Sequence, residues 1–169
     1  MNKGVDLATG QYIYFLNSGD VFACANVLKY VLQEISILDS DCKIIYGNVA
    51  GFYKGFSFGI VDVYPWIVHQ GAFVLGSLLK KYRFDENLKI FGDLDLWMRL
   101  KKDGNFSIYK VNKVITNMEL DGVGSSPITA HERIKDKWTL AKKHKEYFLF
   151  IATLFFSLME IFVYKFFGN

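Results

Sequence analysis

Residues 1–20 read MNKGVDLATGQYIYFLNSGD, and the order of features within them decides how the chain is to be folded. Residues 5–8 read as the end of a helix, closed by Gly10, a residue favoured just past a helix terminus. Residues 12–16 (YIYFL) form a short continuous apolar run, as expected of a strand buried on both faces. Residues 17–20 (NSGD) then make a polar turn at that strand's carboxyl end. In open α/β sheets ligands bind beyond the carboxyl ends of strands, so Asp20 is the first candidate for chemistry. A helix end running straight into a buried strand reads as the interior of a domain whose methionine has become residue 1.

Working outward, residues 27–37 carry Val27, Leu28, Val31, Leu32 and Ile35 at helical spacing. Residues 43–49 (KIIYGNV) read as a strand, and 51–59, rich in Gly and Phe, as a loop or irregular hairpin. Short helices are expected at 77–82 and 94–102, the second capped by Asp93. Residues 106–111 and 114–118 read as two strands, 120–127 as a Gly/Ser-rich loop, and 128–145 as a polar helix. Strands alternating with helices imply an α/β fold on a partly parallel sheet. The domain is expected to span 1–145.

Residues 146–169 form a second segment. The stretch 147–167 is almost wholly apolar, broken by Glu160 and Lys165 and preceded by Lys142, Lys143 and Lys145. Its uncharged run, 147–159, falls short of the roughly 20 residues a spanning helix needs. An apolar helical tail, peripheral or tail-anchored at the cytoplasmic face of the plasma (inner) membrane, is expected, with a helix buried in protein as the alternative. The mean hydropathy of +0.17 agrees with such a segment. A formal net charge of +3 without a dense basic stripe excludes a dedicated nucleic-acid binder. Cys24 and Cys42 have neither ligand nor redox spacing and are expected to be reduced thiols.

Taken one at a time, the polar candidates are ambiguous. Asp20 can hold a divalent cation against a diphosphate, or simply belong to an N-S-G-D turn. Asp93 and Asp95, in FGDLDLWMRL (91–100), stand at the start of an amphipathic helix, where a carboxylate serves either as a general base or as a cap. His69 and Gln70, in IVHQGAF (67–73), precede an apolar run and have either a site role or a structural one. His131 and His144 are read as surface residues of the polar helix. No Walker loop, nucleophile elbow, G-x-G-x-x-G or paired C-x-x-C occurs.

Their order says more. NKGVDLATGQYIYFLNSGD, then HQGAFVLGSLLKKYRFDENLKIFGDLDLWMRL, then the DGVGSS loop resembles the family-two glycosyltransferases of the GT-A fold, often enzymes of bacterial polysaccharide assembly. The resemblance covers most of residues 1–145 and implies a partial GT-A, Rossmann-like fold. It implies transfer of a sugar, with inversion, from a nucleoside-diphosphate donor to a hydroxyl of a glycan or lipid-linked acceptor, with Mg²⁺ or Mn²⁺. LNSGD takes the place of the family's D-x-D metal motif, so Asp20 is implied as metal and donor ligand and Asn17 as a donor contact to a ribose hydroxyl. Asp93 matches the catalytic base. His69, Gln70 and the FDE turn match the acceptor-side segment, with Asp95 either there or structural.

The match departs from the pattern in three places. Asn17 and Gly19 replace carboxylates of the metal motif, and Gly92 replaces the acid before the base. Family members also carry nucleoside-binding elements ahead of the segment that NKG begins, about two βαβ units at roughly 30 residues each. The resemblance therefore implies an amino-terminal part that is encoded separately, as an N-terminal fragment, or belongs to a longer product, or has been lost. Two expectations therefore stand together: a glycosyltransferase portion, or a non-catalytic remnant acting as a membrane- or partner-associated binding module.

Overall fold

The computed structural model describes residues 1–38, 42–61, 67–120, 122 and 127–147. The chain divides into two units. One comprises Met1–Phe84 with Leu96–Leu120; the other comprises Asp85–Asp95 with the described residues beyond 120.

The first unit is built on a mixed six-stranded sheet. Its strands are β1 (Tyr12–Tyr14), β2 (Val21–Phe22), β3 (Ile44–Tyr53), β4 (Phe56–Val61), β5 (Ala72–Leu75) and β6 (Ile108–Glu119). They follow the order β1-β5-β3-β6-β2, with β4 folded back on β3 as a hairpin. The β3–β6 pair is parallel and every other described pair is antiparallel. Successive side chains of a strand point to opposite faces, and the two cores follow from that alternation. On one face Ile13, Ile44 and Val74 pack with Val5 of α1 (Asn2–Leu7), with Leu78 and Leu79 of α3 (Gly76–Tyr82), and with Leu96, Trp97 and Leu100 of α4 (Gly92–Lys102). On the other, Ile45, Phe73, Val111 and Ile115 pack with Val27 and Val31 of α2 (Val27–Ile37). Trp97 is buried to 2% exposure, and its indole N–H donates to the Ile67 carbonyl at 2.8 Å, so the one polar atom of a large apolar side chain is satisfied.

The α/β class and the mixed sheet agree with the sequence reading; several details do not. The YIYFL run is not a strand buried on both faces. Only Ile13 is buried, because β1 pairs with β5 alone, and the flanking tyrosines are half-buried with their hydroxyls on the Cys42 and Gln70 carbonyls. Helix α2 has the expected bounds, but Leu28 and Leu32 are exposed: Val27 and Val31 meet the sheet, and the leucines lie one step around the helix. The two strands expected at 106–111 and 114–118 are one strand. Val111 pairs with Gly47 and Val114 with Asn48, so Asn112 and Lys113 are extra residues on β6 opposite an uninterrupted β3, a bulge that reads as a break. Helix α4 begins at Gly92, two residues early, so Asp93 lies in its first turn and is not its cap.

Two glycines are required by close approach. A Cβ on Gly47 would stand 2.5 Å from Ile115, and one on Gly71 would stand 2.6 Å from the Gly47 carbonyl oxygen. Together they let the short 3₁₀ turn His69–Gly71 lie against β3.

The second unit is organised by α5 (Ala130–His144), which closes with Lys145 in the left-handed region at φ 62°. No helix among the described residues is long and apolar enough to cross a membrane. The apolar tail expected at 146–169, apart from Glu146 and Tyr147, lies outside the described residues, as does most of the DGVGSS loop.

Candidate functional site

The turn after β1 brings four of the expected residues together. Asn17, Ser18 and Gly19 are exposed, whereas Asp20 is 8% exposed and folds back under the turn. Gly19 has φ 90°, a conformation that glycine adopts without strain, and the Asp20 N–H donates to the Asn17 carbonyl at 3.1 Å. The Asp20 Oδ1 accepts the Glu119 backbone N–H at 3.1 Å. Its Oδ2 is buried and closes no hydrogen bond. Burial pushes the Asp20 carboxyl above its ordinary pKa, against the opposing pull of the Glu119 N–H, His69, the Gln70 side chain and the Asn17 backbone. An unsatisfied buried carboxylate oxygen is costly.

His69 and Gln70 stand beside this carboxylate. The Asn17 amide nitrogen lies 3.0 Å from His69 Nε2. The Gln70 carbonyl is gripped by two hydroxyls, Tyr14 at 2.6 Å and Thr116 at 2.5 Å, which also contact each other. Burial raises the Tyr14 phenol's pKa, the Thr116 bond opposes that shift, and the nearby Asp20 charge adds to it. Tyr14 comes from β1, Thr116 from β6 and Gln70 from the 3₁₀ turn. Three separated segments therefore hold the Gln70 backbone in place.

Asp93 and Asp95 belong to the second unit. Asp93 is half-buried, and one carboxylate oxygen accepts the Leu94 N–H at 2.8 Å. Asp95 is fully buried. The Lys143 Nζ lies 2.8 Å and the His144 Nε2 2.9 Å from its Oδ1, and Lys143 also reaches Asp85 at 2.6 Å. Lys143 hydrogen-bonds to Asp85, which holds the Asp85 carboxyl at about 2. Burial opposes the Lys143 charge, but Asp85 and Asp95 outweigh it and its pKa is raised. One turn and more earlier on α5, Asp136 accepts the Ile90 and Phe91 N–H groups at 2.7 and 3.2 Å, and Glu132 pairs with Lys89. A stripe down α5 thus fastens the segment that delivers Asp93. Within it Asp95 is a structural anchor. His144 is not the surface residue its polar helix suggested, since its side chain is 8% exposed.

Sequence reasoning missed Tyr14, Thr116, Glu119, Lys143 and His144. Glu119, the acid that closes β6, carried the one signal that could have been read. The His/Cys/Asp/Glu side chains of the described residues form no group of three able to enclose a metal ion.

No protein-family model matches the chain. The chain is similar to the uncharacterized glycosyltransferase MJ1057 of Methanocaldococcus jannaschii: 26% identical over 177 aligned positions covering 94% of this chain. The chain spans 61% of that protein's length.

Proposed function

We propose that this chain takes part in glycosyl transfer, as a portion of a GT-A-type enzyme that moves a sugar with inversion from a nucleoside-diphosphate donor to a hydroxyl acceptor. The observation that carries the reading is the Asp20 carboxylate, buried at the carboxyl end of β1 with Oδ1 fixed and Oδ2 without a partner. Similarity to a glycosyltransferase supports it.

Asp20 suits a divalent-ion ligand. Mg²⁺ is commonly held by one or two carboxylates, with phosphate oxygens and water completing its shell, and Oδ2 is the available carboxylate oxygen. Such an ion supplies charge neutralisation for a departing diphosphate. Asn17, exposed at the same turn, offers an amide to a ribose hydroxyl. Asp93 is the residue proposed to take the proton from the acceptor hydroxyl as that oxygen attacks the anomeric carbon. Attack from the face opposite the diphosphate inverts the configuration and needs no covalent enzyme intermediate.

The test is turnover of a panel of nucleoside-diphosphate sugars by the full chain with Mn²⁺, followed as nucleoside diphosphate released with and without sugar acceptors. Asp93→Asn should cut transfer by about 10²–10⁴-fold while leaving donor binding within about twofold. Full transfer by Asp93→Asn would remove Asp93 from the base role. Donor binding unaffected by Asp20→Asn would remove the carboxylate on which the reading stands. Binding without turnover would favour a non-catalytic module.

A further inference from the structure

Next to Asp20 lies a second feature that the donor half of the site does not use. The ends of β2 and β6 and the β3–β4 turn border an open cleft of about 210 Å³, lined by Gly19, Val21, Phe52, Gly55, Asn117, Met118 and Glu119. That is below the roughly 300 Å³ at which pockets for drug-sized ligands begin, so the space suits one ring. The cleft is built from fixed parts. The Glu119 N–H is held by Asp20 at 3.1 Å, and its Oε1 accepts the Lys54 N–H at 3.2 Å. The Leu120 N–H donates to the Phe52 carbonyl at 2.7 Å. Lys54 and Gly55 both have positive φ, 49° and 83°, as a tight hairpin turn requires. Gly51 pairs with Gly59 and Phe52 with Ser57, so Phe58 is the extra residue of a bulge on β4 opposite Phe52.

The chemistry of the lining selects its ligand. It offers an aromatic ring, a thioether, an amide and a carboxylate, and no basic side chain. A phosphate carrying no metal ion would meet the Glu119 carboxylate and no basic side chain among these lining residues. A neutral ring with hydroxyl groups fits instead: its C–H face lies on Phe52, and its hydroxyls donate to the Glu119 carboxylate, an arrangement in which hydrogen bonds to a charged acceptor are the stronger kind. We propose that this cleft is a subsite for one neutral pyranose ring of the acceptor, with Phe52 as its platform and Glu119 as its hydroxyl acceptor. The assignment to an acceptor rests on the glycosyl-transfer reading; the assignment to a sugar rests on the cleft.

The experiment titrates ¹⁵N-labelled full chain with methyl glucoside, galactoside, mannoside and N-acetylglucosaminide, to tens of millimolar, since one ring with few contacts binds at about 1 mM or weaker. Saturable amide shifts confined to Gly19, Gly55 and residues 117–119 are expected with at least one of them. Phe52→Leu and Glu119→Gln should each weaken binding about five- to tenfold. Glutamine keeps an oxygen for the Lys54 N–H, so Glu119→Gln preserves the turn, and unchanged amide spectra elsewhere verify the fold of both variants. A parallel titration with uridine, guanosine and thymidine diphosphates and Mn²⁺ reads Asn17–Asp20. Diphosphate shifts there without any glycoside shift in the cleft would overturn the subsite and leave the transfer reading standing. Glycoside shifts without a diphosphate response would keep the sugar site and remove its acceptor role. Silence from both, or equal affinity in both variants, would overturn the subsite.

Discussion

The sharpest consequence of the α5 stripe is the cost of removing Lys143. In Lys143→Met the apolar stem survives, and the charge that meets both Asp85 and Asp95 is lost. Asp95 has no exposure, and Lys143 lies 2.8 Å from it. Breaking a buried ion pair from one side costs about 3–5 kcal/mol, because the remaining charge stays buried. Here His144 remains against Asp95, and Lys143 is itself one-third exposed, so the low end applies, about 3 kcal/mol. For a chain of this length each kcal/mol moves Tm by roughly 2–4 °C, giving a fall of about 6–12 °C at pH 7. Thermal unfolding followed by circular dichroism measures it. A Tm within about 2 °C of the parent, together with Lys143→Met and Asp95→Asn adding to within about 0.5 kcal/mol in the double variant, would refute the buried cluster and the anchoring of the Asp93 segment with it.

Other outcomes follow from the same geometry. Asp20→Asn should raise Tm while abolishing Mn²⁺-dependent donor binding. The folded-state pKa of Asp20 is raised by burial, so the carboxylate costs stability as pH rises through that value, and asparagine can still accept the Glu119 N–H; a fall in Tm would contradict this. Asp85 behaves oppositely. Its folded value of about 2 lies below the ordinary 3.8, so it contributes stability above about pH 4 that is lost as pH falls toward 2. That contribution is at most about 2 kcal/mol at 1.36 kcal/mol per unit, and Asp85→Asn should flatten the acid limb of urea stability measured from pH 5 to pH 2. Gly71→Ala should cost about 1–3 kcal/mol in urea unfolding, since its methyl would press on the Gly47 carbonyl; a neutral result would mean the 3₁₀ turn is not packed on β3. If residues 147–169 hold the chain to a membrane, removing them should shift it to the supernatant after high-speed sedimentation, whereas unchanged partition would favour a helix buried in protein. The structure commits Lys143 to Asp85 and Asp95, so the basic charge beside that segment rests on Lys142 and Lys145.

What could be read from the sequence was what depends on near neighbours. The bounds of α2 followed from Val27, Val31 and Ile35, which recur every turn whatever the chain does elsewhere. The polar turn at 17–20 announced Asp20 because the apolar run before it has to end. Features set by distant partners were not legible. YIYFL looks like a central strand because tyrosine counts as apolar, but its hydroxyls are spent on the carbonyls of Cys42 and Gln70, 30 and 56 residues away. Asn112 and Lys113 look like a break because a bulge leaves the same polar trace as a turn, and only β3, running unbroken beside them, tells the two apart. The candidate site divides the same way. Asp20 and Asp93 were visible as acids at element ends. What gives Asp20 a preference is Glu119, 99 residues on, whose N–H fixes one carboxylate oxygen and leaves the other to find its own partner. A side chain made unstable by its neighbours, rather than one merely present in a motif, is the stronger physical argument for a ligand.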